Sequence, residues 1–177
     1  MRHKKLLVVA IDPGKQGRIA YLSRKGEVLD VLKLPWTTTK KGGFLWGKRL
    51  VHLLRGSPLS STNDTLHPVV VCEWYRPHGR NGKLTWYSAG DMFGSIRTAC
   101  DIAGLPLYTV DPKEWIHECL PKSSWGDREK SKEACKILAQ ARWPDRSFAN
   151  DNVADACMIG LYAVQKEIWR WPTPDLT

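Results

Sequence analysis

Two short runs made wholly of apolar residues, each stopped by an acid, constrain this chain more than any other feature. Leu6-Leu7-Val8-Val9-Ala10-Ile11 ends on Asp12-Pro13-Gly14, and Pro68-Val69-Val70-Val71-Cys72 ends on Glu73. Runs this short with no polar alternation read as buried strands, each closing in a turn or on an acid. If the two strands are adjacent and parallel, Asp12 and Glu73 emerge at the same sheet edge.

Around these runs the chain divides into ordinary elements. Arg18 to Ser23 and Glu27 to Leu34, separated by Arg24-Lys25-Gly26, complete an antiparallel meander with the first run. Helical spacing is expected from Phe44 to Leu54, and a loop over the Ser-, Thr-, Asn- and Pro-containing stretch from Gly56 to His67. Trp74 to Gly94 is Gly-rich, basic and aromatic, loop at first and then helix. Leu105 to Val110 reads as a further short strand. Ala134, Ile137, Leu138 and Ala141 lie at i, i+3, i+4 and i+7 and predict the buried stripe of a helix. A last helix is expected from about Asp151 to Trp169. With 177 residues and no internal repeat, the expectation is one domain over residues 1–177.

Composition narrows the function classes. A 42% hydrophobic, 25% charged chain is globular rather than disordered or fibrous. Lys and Arg outnumber Asp and Glu 27 to 18, a net charge of +9, which favours a polyanionic partner through counterion release. The five cysteines are scattered with no C-x-x-C pair, which argues against a disulfide framework or zinc site and for a reducing compartment. No signal-peptide pattern and no run of membrane-spanning length is found.

The third informative acid is Asp155, inside Val153-Ala154-Asp155-Ala156-Cys157-Met158-Ile159-Gly160-Leu161-Tyr162-Ala163, a helix apolar on nearly every face. An unpaired buried carboxylate costs several kcal/mol, so three such acids need cationic partners. Clustered oxygens without His or Cys ligands suit Mg²⁺ or Mn²⁺. Taken singly, Asp12 also reads as a turn-capping residue and Glu73 as a surface acid. The Asp12-Pro13-Gly14 turn also fits the phosphate hairpin of an actin- or hexokinase-like ATPase, but the chain is too short for that fold and lacks its further Gly-rich phosphate loops.

Ile11-Asp12-Pro13-Gly14, Glu73 and Ala154-Asp155-Ala156, in that order, resemble the RuvC group of Holliday-junction resolvases. Gly82-Lys83, Trp86-Tyr87-Ser88-Ala89-Gly90 and Met92-Phe93-Gly94 are similar to the plant chloroplast and phage branch of that group. The resemblance spans about Leu6 to Ala163. It implies a ribonuclease-H-like α/β fold, a mixed five-stranded sheet flanked by helices, consistent with the order of elements above. It also implies that Asp12, Glu73 and Asp155 hold two divalent ions, Mg²⁺ or its substitute Mn²⁺, and that a homodimer acts on four-way DNA junctions.

Relatives carry a second acid or a His just before the last carboxylate. Here those positions hold Asn152 and Asp151, which can both share a helix face with Asp155. Asp151 is the preferred fourth ligand and Asn152 the alternative, although Asp151 also suits a helix N-terminus. Lys113 stands in for a family lysine that follows the Trp of a Pro-x-x-Trp element, where this chain has Ile116. Lys130 resembles a family lysine near the scissile phosphate, or is a solvated lysine on a polar helix face.

The implied chemistry is phosphodiester hydrolysis by two ions roughly 3.5–4 Å apart. Asp12 would bridge them, Glu73 would bind one and Asp155 the other, leaving a 5′-phosphate and a 3′-hydroxyl. For DNA, Arg76, His78, Arg80 and Lys83 alternate with Trp74, Tyr75, Trp86 and Tyr87, so cations can hold phosphates while rings stack on bases. Lys132 adds a further contact. Tyr87 and Phe93 are candidate wedges at the branch point, though Trp86 and Phe93 also fit a buried helix stripe. Alternatives are a flap, fork or RNA–DNA hybrid nuclease and a non-catalytic junction-binding protein. A dimer would favour the resolvase, because paired nicks need two linked sites; Trp36, Trp46, Trp169 and Trp171 are interface or core candidates. The expected setting is the cytoplasm or nucleoid of a bacterium or phage-infected cell, or an organelle stroma after loss of a transit peptide.

Overall fold

The two apolar runs are neighbouring parallel strands. In the computed structural model, which describes residues 5–39, 42–55, 66–74 and 82–171, β1 is Lys5–Asp12 and β6 is Leu66–Glu73. Their register ends with Ile11 beside Cys72, which sets Asp12 and Glu73 next to each other at the C-terminal edge. β2 (Arg18–Ser23) and β3 (Val28–Lys33) extend the sheet antiparallel on one side. β7 (Leu107–Val110) adds a parallel strand on the other, for a mixed sheet in the order β3-β2-β1-β6-β7.

Strand alternation sorts the core into two layers. Leu7, Val9, Ile11, Ile19, Tyr21, Val70 and Cys72 pack under α1 (Gly47–Leu54) and α2 (Lys83–Ala103). Val8, Ala10, Ala20, Leu22, Val69 and Val71 pack under the other layer, which consists of α3 (Pro112–Cys119), α4 (Arg128–Arg142) and α5 (Asp151–Gln165). By the same parity Asp12, Arg18 and Glu73 belong to the α5 side. Helix α5 lies close to the sheet because its contact residues are small. A Cβ at Gly160 would run into Leu22 Cδ1 and come within 3.2 Å of the Ala10 Cβ. Gly104, at φ +68°, ends α2 and turns the chain into β7, with Leu105 N donating to Cys100 O at 3.0 Å.

Several sequence expectations shift. The helix expected from Phe44 begins at Gly47, because Phe44 and Leu45 belong to an unanticipated hairpin of β4 (Trp36–Thr39) and β5 (Gly42–Leu45). A Cβ at Gly43 would meet the Trp36 indole, so the hairpin depends on that glycine. The stripe expected on α4 is rotated: Ile137 is 58% exposed, whereas Cys135 and Ala139 are buried. A small thiol at Cys135 is what faces the core, and apolar spacing alone overlooks it. Of the expected loop, residues 56–65 lie outside the described residues, and Leu66 and His67 already belong to β6. α5 stops at Gln165, and a 3₁₀ turn follows at Ile168–Arg170 after Glu167 adopts a φ of 47°. No helix among the described residues is long and apolar enough to cross a membrane.

Candidate active site

Asp12 and Glu73 are brought together by strand register, and Asp155 by the docking of α5 across their ends. Asn150 caps α5, its side chain accepting from Asn152 N at 3.0 Å. The Asn152 side-chain amide donates to the Gln16 carbonyl at 3.1 Å, tying the start of α5 to the turn that follows Asp12. Asp155 therefore sits one helical turn inside α5, above the sheet edge.

The three acids share one electrostatic environment. Burial pushes the Asp12 carboxyl well above its ordinary range, and the charges of Asp155 and Glu73 push it further; Arg18 and Lys132 act against this. Glu73 is raised to about 7, first by burial and then by Asp155 and Asp111, against a hydrogen bond from Trp115. Asp155 is raised by burial and by Asp151, while a hydrogen bond from the Cys135 thiol and the charges of Lys132 and Arg128 lower it. Desolvation and mutual repulsion raise all three carboxyls more than the neighbouring cations lower them. Their donor set is all oxygen, which fits a hard divalent cation. Among the described residues, no three His, Cys, Asp or Glu side chains already close around a single ion position.

The two lysines expected at the start of α4 are placed differently. Lys130 is 69% exposed and pairs with Asp127 at 3.7 Å on the outer start of α4. Lys132 is the lysine whose charge reaches both Asp12 and Asp155. It binds Asp151 at 2.8 Å, and Lys136 joins that carboxylate at 3.4 Å. The hydrogen bond from Lys132 leads the effects that hold Asp151 below the usual carboxylate range. Asp151 is thus already engaged by two lysines. Lys113 is exposed, its backbone N–H bonded to the Asp111 cap at 2.9 Å.

The DNA-contact candidates divide. Tyr75, Arg76, His78 and Arg80 lie outside the described residues. Lys83 opens α2 and is exposed, as are Trp86 (49%) and Tyr87 (76%). Phe93 is half-buried, edge-on to Trp74 with ring centroids 3.9 Å apart. Of the two wedge candidates, Tyr87 is free to meet a base, and Phe93 is packed against its own chain.

Sequence reasoning missed Arg18 and Trp115. Arg18 is only 7% exposed and donates to the carbonyls of Gln16 and, at 3.1 Å, Gly17. Its placement opposite Asp12 follows from the β1–β2 register, so a register count could have found it. Nothing in the sequence says that the Trp115 indole reaches Glu73.

No known family model matches the sequence, and no curated protein matches it. Solved structures do match. The Thermus thermophilus RuvC structure superposes with a TM-score of 0.60 at 19% identity, covering 92% of this chain and 96% of that one. T. thermophilus RuvC in complex with a Holliday junction substrate gives a TM-score of 0.59 at the same identity and coverage. In its sheet order and flanking helix layers the chain has the ribonuclease-H-like fold seen in RuvC.

Proposed function

We propose that this chain is a divalent-metal-dependent endonuclease that cuts four-way DNA junctions. The observation that carries the reading is the gathering of half-buried Asp12, Glu73 and Asp155 at one sheet edge, each with its proton affinity raised. A folding-only role gives no reason to gather three repelling, half-buried carboxylates at a sheet edge, whereas a cation site does. The net charge of +9 and the solved RuvC complex with a Holliday junction substrate support DNA with a branch as the substrate.

Bound divalent ions would supply Lewis-acid stabilisation of the phosphorane-like charge and activate the attacking water. Asp12, Glu73 and Asp155 would hold the ions, with Asp12, which feels the charges of both other acids, as the central donor of the set. The Asn152 amide oxygen is the fourth donor in this reading, in place of Asp151, because two lysines already hold Asp151. Lys132 places a positive charge beside the acids where a phosphate must approach. Arg18 moderates the repulsion around Asp12 from beneath.

Symmetric nicking requires two linked sites, and a homodimer through α2 would provide them. The support is the unusual exposure of its apolar residues, Leu84 at 83%, Tyr87 at 76% and Ile102 at 63%. Wild-type protein with Mg²⁺ or Mn²⁺ would be tested on a four-way junction, a flap, a fork, an RNA–DNA hybrid and plain duplex. Paired nicks confined to the junction are expected. Cleavage of flaps or hybrids with an intact junction would keep the chemistry and overturn the substrate.

A further inference from the structure

We propose that Trp115 is a positioning residue for the metal site: its indole N–H holds one oxygen of Glu73 and so determines which oxygen that carboxylate offers to a divalent cation. The inference rests on the proposed function in one respect only, that Glu73 is a cation ligand.

The contact is short and fixed from both ends. Trp115 Nε1 donates to Glu73 Oε2 at 2.6 Å, and Trp115 is only 4% exposed. An indole N–H is a donor only, so it cannot compete for the cation or accept a proton. A bond from a neutral donor to an ionised carboxylate is among the stronger kinds, and in a buried site it fixes the rotamer of the acid. With Oε2 held, the other oxygen is the one left to bind a metal. Donors placed behind metal ligands characteristically fix ligand orientation and affinity in this way.

The chain builds this contact deliberately. Glu73 and Val110 are register partners on β6 and β7, and Trp74 N donates to Val110 O at 2.8 Å, so the two strand ends stay level. The next residue, Asp111, starts α3 with a reciprocal cap. It accepts from Lys113 N at 2.9 Å, while Glu114 Oε2 accepts from Asp111 N at 3.3 Å. Pro112 opens the helix with its backbone already set for it. Trp115 therefore stands one turn into a rigidly started helix, beside the acid that ends the neighbouring strand. Other indoles of the chain bond to a backbone carbonyl, as Trp125 Nε1 does with Leu120 O at 3.1 Å and Trp143 Nε1 with Gly26 O at 3.0 Å, and those of Trp36 and Trp74 have no partner among the described residues, whereas Trp115 is directed to a carboxylate of the site.

The test uses the full chain without DNA, at a pH above the Glu73 value of about 7. Mn²⁺ binding would be counted by electron paramagnetic resonance in wild type, Trp115→Phe and, as the matched control, Trp125→Phe. In parallel, the ¹⁵N-indole resonance of Trp115, assigned by its loss in Trp115→Phe, would be followed in Glu73→Gln and during an Mg²⁺ titration of wild type. The expected result is Mn²⁺ binding weakened by about tenfold or more in Trp115→Phe, the usual scale for such partners, and near wild type in Trp125→Phe. The Trp115 resonance should also shift in Glu73→Gln and on adding Mg²⁺. Should Trp115→Phe fail to fold, the resonance, assigned instead by through-bond and NOE spectra of the wild type, decides alone. A resonance blind to both Glu73→Gln and Mg²⁺, or Mn²⁺ binding unchanged in a folded Trp115→Phe, overturns the inference. If wild type binds Mn²⁺ with these signatures yet cuts no DNA, the functional reading falls and the positioning role stands.

Discussion

Asp12 and Arg18 are register partners across the antiparallel β1–β2 pair, so the first acid of the site stands opposite a guanidinium that is 7% exposed. Opposed residues share one face of a sheet, and Arg18 lowers the proton affinity that burial and the other acids raise at Asp12. Arg18→Met keeps much of the volume and removes the charge. Its expected effect is a loss of about 1–3 kcal/mol at about pH 8, where the acids are ionised, and a smaller loss near pH 5. Urea unfolding at both values reads this directly. Equal losses at the two pH values would mean that Arg18 serves packing and not charge.

The metal-free chain should gain stability in mild acid. Glu73 is held at about 7 against an ordinary 4.5, and Asp12 and Asp155 are raised as well. Between these limits the folded state binds protons that the unfolded state has released, so stability falls as pH rises through the window. Asp151 and Asp127 are shifted the other way, and their contribution is lost only as pH falls below the ordinary carboxylate range. In the presence of a chelator, the melting temperature should be several degrees higher near pH 5 than near pH 8, corresponding to about 1–3 kcal/mol. Mg²⁺, which binds the ionised acids, should restore stability at the higher value. A metal-free melting temperature that climbs steadily from pH 5 to 8 would contradict the electrostatics described here.

Gly160 sets how closely α5 approaches the sheet. A Cβ there collides with Leu22, itself fully buried, and crowds Ala10. Gly160→Ala should therefore destabilise the chain by about 1–3 kcal/mol through overpacking, despite the better helix propensity of alanine. It should also weaken Mn²⁺ binding, because lifting α5 carries Asp155 away from Asp12. A variant as stable as wild type would show that the helix sits more loosely than the structure has it.

The inner strands and the edge where the acids gather were legible because both depend on patterns a linear sequence displays. An unbroken apolar run can only be buried on two sides, and an acid ending such a run must lie at the sheet edge. The helix carrying Asp155 was legible because its apolar residues surround it. Other features depend on distances that the sequence does not carry. The β4–β5 hairpin rests on the close approach of Trp36 to Gly43, and helical spacing from Phe44 concealed it. The choice of Lys132 over Lys130 is a matter of which face of α4 meets α5, and two lysines two residues apart on a helix start look alike in sequence. Trp115 reaches Glu73 across 42 residues of chain, through the pairing of two parallel strands.

The two lysines separate in a direct comparison. Lys132→Ala removes a charge that acts on both Asp12 and Asp155 and leaves Asp151 to Lys136 alone. Lys130→Ala breaks an exposed pair with Asp127, of a kind worth little in water. Junction cleavage should drop by about tenfold or more in the first, equivalent to about 1.4 kcal/mol of transition-state stabilisation, and by much less in the second. The reverse order would return the catalytic role to Lys130.

The central claim is that Asp12 holds a cation for DNA cleavage. Asp12→Asn keeps the shape of the side chain, removes its charge and relieves the repulsion with Glu73 and Asp155. The decisive measurement pairs cleavage and binding of one synthetic four-way junction, in Mg²⁺ or Mn²⁺, by wild type and Asp12→Asn. The expected outcome is paired nicks by wild type, reduced at least about a thousandfold in Asp12→Asn, or about 4 kcal/mol of lost transition-state stabilisation, with junction binding retained. Tight junction binding by both proteins with no cleavage by either would contradict the account and make the fold a binding module.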